Sequence, residues 1–412
     1  MEKKYEVIDE IIAGGVYLYI VFMFLSKGES IRNILIFGNF ALWLLTLKHR
    51  KNLRILREPV SILFWLFVGI TVCSVFFSID PLYSFLSLRN DPLKPALLFV
   101  VIATVMSEKK RLERVIYVSC FTALLIVLIS YYSYFSHDIY MLRPDVALMD
   151  TGPAGHNKFA RYLTTLLPFM LPLYFLWDRR KSLKAFIFIS LILSIFAIIL
   201  STSRGGYVAF ISIVLILAGY LSRTRGYSLF KLISWVIAAT LFLGILSWFS
   251  FPNVRERISR TDNELPTFNL RTEAWEPAIY AIKERPLVGW GYGDRIFHMD
   301  EPYENTQYKK YPPPKSEASP RGPHNTFLKL LFHQGLIGTI PYLLLIVIAI
   351  KVFWREALKG RGVTSHVLAA SVAVIIGNYI LNSMLADVQF RSLSVVLGLG
   401  IAAMGIDENS HS

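Results

Sequence analysis

Apolar runs of near bilayer length recur along most of this chain, each parted from the next by a short charged turn. Backbone groups inside hydrocarbon have no water to bond, so such runs must satisfy their own N–H and C=O groups as helices. A window of about 19 residues gives candidate spans at 11–25, 31–47, 60–77, 93–107, 113–135, 159–177, 185–200, 205–222, 229–251, 326–350, 364–384 and 390–406, about twelve in all. With 54% hydrophobic and 17% charged residues over 412 positions, a soluble protein is excluded. The expected fold is an all-α polytopic membrane protein. The fourth and twelfth runs are short for a span, which suggests re-entrant or strongly tilted segments.

The net charge of +14 would suit nucleic acid, but most Lys and Arg fall in turns between apolar runs, where the positive-inside bias accounts for them. Turns 48–57, 108–114, 178–184, 223–231 and 351–361 are all basic and fall on one side, predicted as cytoplasmic along with both termini. Turns 26–33, 78–94, 136–158 and 201–206 then face outward, together with a polar insert of about 70 residues, too long for the charge rule to govern. This divides the chain into nine spans within 1–251, an outward loop at 252–323, three spans within 324–406 and a cytoplasmic tail at 407–412. Lys3 and Lys4 precede the first run, which lacks a small-residue cleavage pattern and is read as a retained span. Cys73 and Cys120 lie in apolar runs and are expected to pack there. Function is expected in the insert and the helix that follows it.

Outward arginines that topology does not require are candidates for holding an anion, because guanidinium keeps its charge and forks onto phosphate oxygens. Ser203-Arg204-Gly205-Gly206 is a tight outward turn, and a helix starting near Gly205 would point unpaired N–H groups and its positive dipole end past Arg204. The same turn is consistent with a packing hairpin whose Arg reaches the interface. In the insert, Arg271 and Trp275 stand four apart on one helical face, suited to a phosphate and a sugar, or to stacking on each other. Pro277 is expected to kink or end that helix. The run Gly289-Trp290-Gly291-Tyr292-Gly293 lacks the strand and spacing of a dinucleotide fingerprint and reads as a sharp turn. Pro323-His324-Asn325 opens the next span and places His324 on its first turn at the outer boundary, as a proton acceptor or simply as a cap. His333 lies nine residues on, on the opposite helical face, so no metal pair forms; neither metal nor cofactor is expected.

Taken in order, Ser203-Arg204-Gly205, Arg271 with Trp275, the Pro286, Gly289, Gly291, Gly293 turn, and His324-Asn325 followed by Gly335-Leu336-Ile337-Gly338 resemble the bacterial O-antigen ligase family. That family is related to O-antigen polymerases and protein O-oligosaccharyltransferases. The segment Gly155-His156-Asn157-Lys158 leading to Arg161 is similar to a less specific family stretch. The resemblance implies a GT-C-like glycosyltransferase of the bacterial inner membrane with a periplasmic active site. Its donor would be an undecaprenyl-diphosphate-linked glycan and its acceptor the lipid A-core oligosaccharide, with no nucleic acid involved. By position, Arg204 and Arg271 would hold the diphosphate and His324 would stand at the reacting hydroxyl. Ser203, Gly205, Trp275, Asn325, Arg161 and Arg89, the last in the outward turn 78–94, are supporting candidates.

A lipid diphosphate is an activated leaving group, so catalysis reduces to neutralising its charge and aligning an alcohol for attack, which predicts inversion. Asp262, Glu264, Glu273, Glu276 and Glu284 are the acids available in the insert, and spacing does not choose among them. Rival readings are a polymerase or protein glycosyltransferase using the same donor, and a transporter. Ionisable residues avoid the span centres, which disfavours transport, and the compact tail after Arg391 favours a ligase.

Overall fold

A computed structural model of the protein describes residues 2–24, 28–136, 155–176, 181–251, 255, 271–304, 322–360, 362–384 and 390–406. All regular secondary structure among them is helical. In chain order the helices are α1 (Glu2–Phe22), α2 (Glu29–Leu45), α3 (Pro59–Cys73), α4 (Pro81–Leu88), α5 (Lys94–Val105), α6 (Lys109–Ser136) and α7 (Gly155–Leu176). They continue as α8 (Lys181–Leu200), α9 (Arg204–Arg225), α10 (Leu229–Ser250), α11 (Arg271–Glu284), α12 (Thr326–Lys359), α13 (Val363–Val374) and α14 (Phe390–Met404), with short 3-10 and π turns between some of them. Six stretches among the described residues are long and apolar enough to cross a membrane: Pro59–Phe77, Lys109–Tyr132, Arg204–Arg225, Leu229–Ser250, Thr326–Lys359 and Val363–Met384. The chain is an all-helical membrane protein.

Predicted turns meet one another at both ends of the bundle. At one end of the bundle, Arg50 pairs with Asp9 at 2.7 Å, Arg111 with Glu10 at 3.0 Å and Arg114 with Glu10 at 2.5 Å. The basic turns 48–57 and 108–114 therefore converge on the acids of α1. At the other end, Ile79 N–H donates to Trp290 O at 3.1 Å, joining turn 78–94 to the insert, and Ser203 Oγ donates to Asn157 Oδ1 at 2.7 Å.

The two short predicted segments turn out to be the centre of the bundle. Every residue of α5 except Leu97 is buried, as is every residue of α14 from Phe390 to Ala403 except Arg391. A helix apolar on all sides is buried on all sides. The pair approaches closely at Gly398, where an added Cβ would lie 2.9 Å from Ile102 Cγ2. By contrast α10 is peripheral, with Phe230 80% and Trp235 76% exposed as befits a lipid-facing helix. Cys120 is buried as expected, but Cys73 is exposed and does not pack in the core.

Helix α11 continues through Pro277, contrary to the expected stop. Proline loses its own N–H bond and crowds the carbonyl four residues back, and here the helix is held from outside. Ala278 and Ala281 are buried in a cluster with Trp290, Ile296, Phe297, Tyr303 and Phe332, and Trp290 Nε1 donates to Ala281 O at 2.7 Å. The insert thus owns a small apolar core that reaches α12 through Phe332.

Candidate active site

The insert is bolted to the bundle through a break in α12. Gly335 takes φ 58° and ψ −160°, which interrupts the helix and frees four backbone groups. The carbonyls of Phe332 and His333 accept from Trp290 and Gly291 N–H at 2.8 and 3.0 Å, while Leu336 and Ile337 N–H donate to Pro286 and Leu287 carbonyls at 2.8 and 3.1 Å. The glycine turn read from the sequence is therefore one half of a backbone splice. Gly289, at φ 70°, permits it, because a Cβ there would collide with the backbone of His333 and Gln334. His333 belongs to this splice, buried with Nδ1 2.7 Å from Gly291 O. Among the described residues, no group of three or more His, Cys, Asp or Glu is placed to hold a metal ion.

Asn325 caps α12, its Oδ1 accepting from Phe327 and Leu328 N–H at 3.0 and 3.2 Å. Because the cap is Asn325, His324 lies one residue before the cap and not on the helix's first turn, a correction to the expectation. It is half-buried with φ 43°. Trp275 Nε1 donates to Pro323 O at 2.5 Å, so the first turns of α11 are seated against the backbone that carries His324. Arg271 begins α11 one turn before Trp275; its side chain, like that of Glu273, lies outside the described residues, as do Asp262 and Glu264. Glu276 and Glu284 are exposed. Replacing Trp275 with Phe should remove this tether at a cost of about 0.5–1.5 kcal/mol. The expected signs are a lower melting temperature in detergent and faster proteolysis at 322–325.

The second group surrounds the start of α9. Ser203 is its N-cap, accepting from Gly206 N–H at 3.1 Å, so the helix starts at Arg204. The glycine pair admits protein and not an open approach: a Cβ on Gly205 would collide with Asn382, and one on Gly206 with Ala160. Asn382 Nδ2 reaches Asn378 Oδ1 at 3.4 Å, which also accepts from Thr164 Oγ1 at 2.9 Å. Arg161, on the same face of α7 as Thr164 and Thr165, is 7% exposed and so sits within the bundle. Thr202 and His324 are the two non-glycine residues with positive φ among those described, one at each group, and such outliers cluster at functional sites. Both α9 and α12 pack on the Asn382–Met384 turn. The structure brings Trp275 to the Pro323 carbonyl, next to His324 in sequence, and Ser203 and Gly205 to Asn157 and Asn382; a direct meeting of Arg204 with His324 belongs to the proposal below.

A third feature was not anticipated. Beside the start of α12 lies a cavity of about 220 Å³ whose wall includes Asn90, Asp91, Tyr83, Tyr292, Lys329 and Thr326. Arg89 is exposed next to this wall, and Asn90 Oδ1 accepts from Lys94 Nζ at 2.8 Å. Burial pushes the Asp91 carboxyl up to about 7, against the pull of Lys329, Arg391 and a hydrogen bond from Tyr292. Lys329 Nζ also bonds Asp294 Oδ1 at 2.5 Å. The only sequence signal here was an Asn-Asp-Pro run in a short turn between apolar segments.

The fold defines a helical integral membrane protein. Residues 189–343, which contain Ser203, Arg204, Arg271, Trp275, the splice and His324, match the family model for O-antigen ligase. The chain is similar to the O-antigen ligase of Salmonella typhimurium strain LT2, 24% identical over 342 residues, covering 81% of this chain and 80% of that one. It is also similar to an uncharacterized protein of Haemophilus influenzae strain Rd, 25% identical over 199 residues, covering 45% of this chain and 48% of the other. These matches support membership of the O-antigen ligase family.

Proposed function

We propose that the protein is a glycosyltransferase that moves a glycan from undecaprenyl diphosphate to a sugar hydroxyl of lipid A-core. The observation that carries this reading is the Trp275–Pro323 hydrogen bond, which seats the helix begun by Arg271 against the backbone one residue before His324. A diphosphate-binding cation and a proton acceptor are what displacement of a lipid diphosphate requires. In the proposed step the acceptor oxygen bonds to the anomeric carbon as the bond to the diphosphate oxygen breaks. His324 takes the hydroxyl proton, while Arg204 and Arg271 balance the charge left on the diphosphate. A single displacement inverts the anomeric configuration, and retention in the product would reject it. The reading places about twelve spans in the bacterial inner membrane with both termini cytoplasmic and the site periplasmic. It is supported by the meeting of two basic turns on α1 at the end opposite the Ser203 and Trp290 contacts.

Purified protein supplied with lipid-diphosphate glycan and lipid A-core should give glycan-bearing lipid A-core by mass. Glycan lengthened on the carrier instead would make the protein a polymerase, and no transfer would overturn the reading. Arg271→Lys keeps the charge but loses the two-pronged fork, so kcat/KM for the donor should fall by about tenfold or more. Unchanged donor kinetics would remove Arg271 from the diphosphate.

A further inference from the structure

Among the described residues, the cavity beside α12 does not include Arg204 in its wall. At about 220 Å³ it falls below the roughly 300–1,000 Å³ of pockets for drug-sized ligands, and its size suits one sugar ring. Its lining supplies amide, hydroxyl, carboxylate and ammonium groups from Asn90, Ser87, Asp91 and Lys329, with the rings of Tyr83 and Tyr292 beside them. Its lining sets the carboxyls of Asp91 and Asp294 against the ammonium of Lys329, with Arg391 close enough to act on Asp91, a near-balance of charge that suits a neutral polyol. Asp91 Oδ1 is buried with no hydrogen-bond partner among the described groups. A buried carboxylate oxygen left without a donor is costly, and a ligand hydroxyl would satisfy it. Thr326 and Lys329 stand in the first turn of the helix that Asn325 caps, so an occupant would lie beside the His324 turn.

We propose that this cavity is a subsite for a single pyranose ring, with Asp91 accepting hydrogen bonds from the sugar hydroxyls. The assignment rests on the glycosyl-transfer reading above. The ring belongs either to the acceptor or to the first residue of the donor glycan, since both present the same hydroxyl chemistry.

Asp91→Asn in the full-length purified protein separates these sources. Kinetics are measured against lipid A-core and against lipid-diphosphate glycan, and binding of glycan-free undecaprenyl diphosphate is measured directly. The expected result is a rise of about tenfold or more in one KM, with glycan-free carrier binding unchanged. A rise for lipid A-core assigns the ring to the acceptor; a rise for the glycosylated donor assigns it to the donor. Asp91 faces Tyr292, Lys329, Asp294 and Arg391, and its ionised form is the better acceptor. The affected substrate should therefore bind more tightly as pH rises from 6 to 8 in the wild type, and this slope should flatten in D91N. Unchanged KM values, or weakened binding of the glycan-free carrier, would overturn the subsite. Should D91N fail to fold, K329Q carries the same comparison. A wild type that transfers nothing, yet binds lipid A-core or donor glycan in a manner that D91N weakens, rejects the transfer reading and retains the subsite.

Discussion

Gly335→Ala is expected to cost at least about 3 kcal/mol and to detach the insert from the bundle. The added Cβ would meet the Leu287 carbonyl at a φ of 58°, a conformation that side-chain-bearing residues rarely adopt. Relief requires the 286–291 backbone to withdraw, and with it go the hydrogen bonds at Trp290, Gly291, Leu336 and Ile337. The measurement is thermal unfolding in detergent, with proteolysis of 271–304 as a local readout. Gly69→Ala is the control: nothing lies within 4 Å of the added atom, and alanine is the better helix former. Equal melting temperatures for the two variants would show that the splice contributes no stability.

His324→Asn should lower kcat by about 10²- to 10⁴-fold while binding of undecaprenyl diphosphate stays at the wild-type level. Asparagine is a cleaner choice than alanine because the position has φ 43°, and Asn tolerates the left-handed region. It removes the basic ring nitrogen without forcing the turn between Pro323 and Asn325 to rearrange. Near-normal turnover would exclude His324 as the base. A loss confined to carrier binding would move it to the diphosphate.

Which parts of this arrangement could be read in advance depends on the range of the force involved. Exclusion of water from hydrocarbon acts along the chain, so Pro59–Phe77 or Leu229–Ser250 is legible as an apolar run. Local hydrogen bonding also leaves a mark: the polar pair before Thr326 reads as a cap and Asn325 is one, while the helix expected to start near Gly205 starts at Arg204. The placement of His324 was missed because Pro, His and Asn are all plausible before a first turn, and only the Asn325 side-chain bonds decide. Hydropathy does not distinguish a helix bathed in lipid from one enclosed by protein, so the central place of α5 and α14 was hidden. The stop expected at Pro277 is absent: a lost backbone bond is visible in sequence, whereas the packing of Ala278 and Ala281 is not. The splice at Gly335 and the Asp91 cavity join positions far apart in the chain, and a glycine or a carboxylate alone does not announce its partner.

The close apposition of Gly398 with Ile102 also constrains how the molecule comes into being. The innermost helix is made early and the surface that encloses it almost 300 residues later, so a growing chain holds an unfinished centre through most of its synthesis. A nascent product that stops before residue 390 would leave α5 without its principal neighbour, exposing Lys94 and the adjoining cavity wall. Quality-control proteases of the membrane should therefore degrade such shortened chains far faster than chains altered in the peripheral α10.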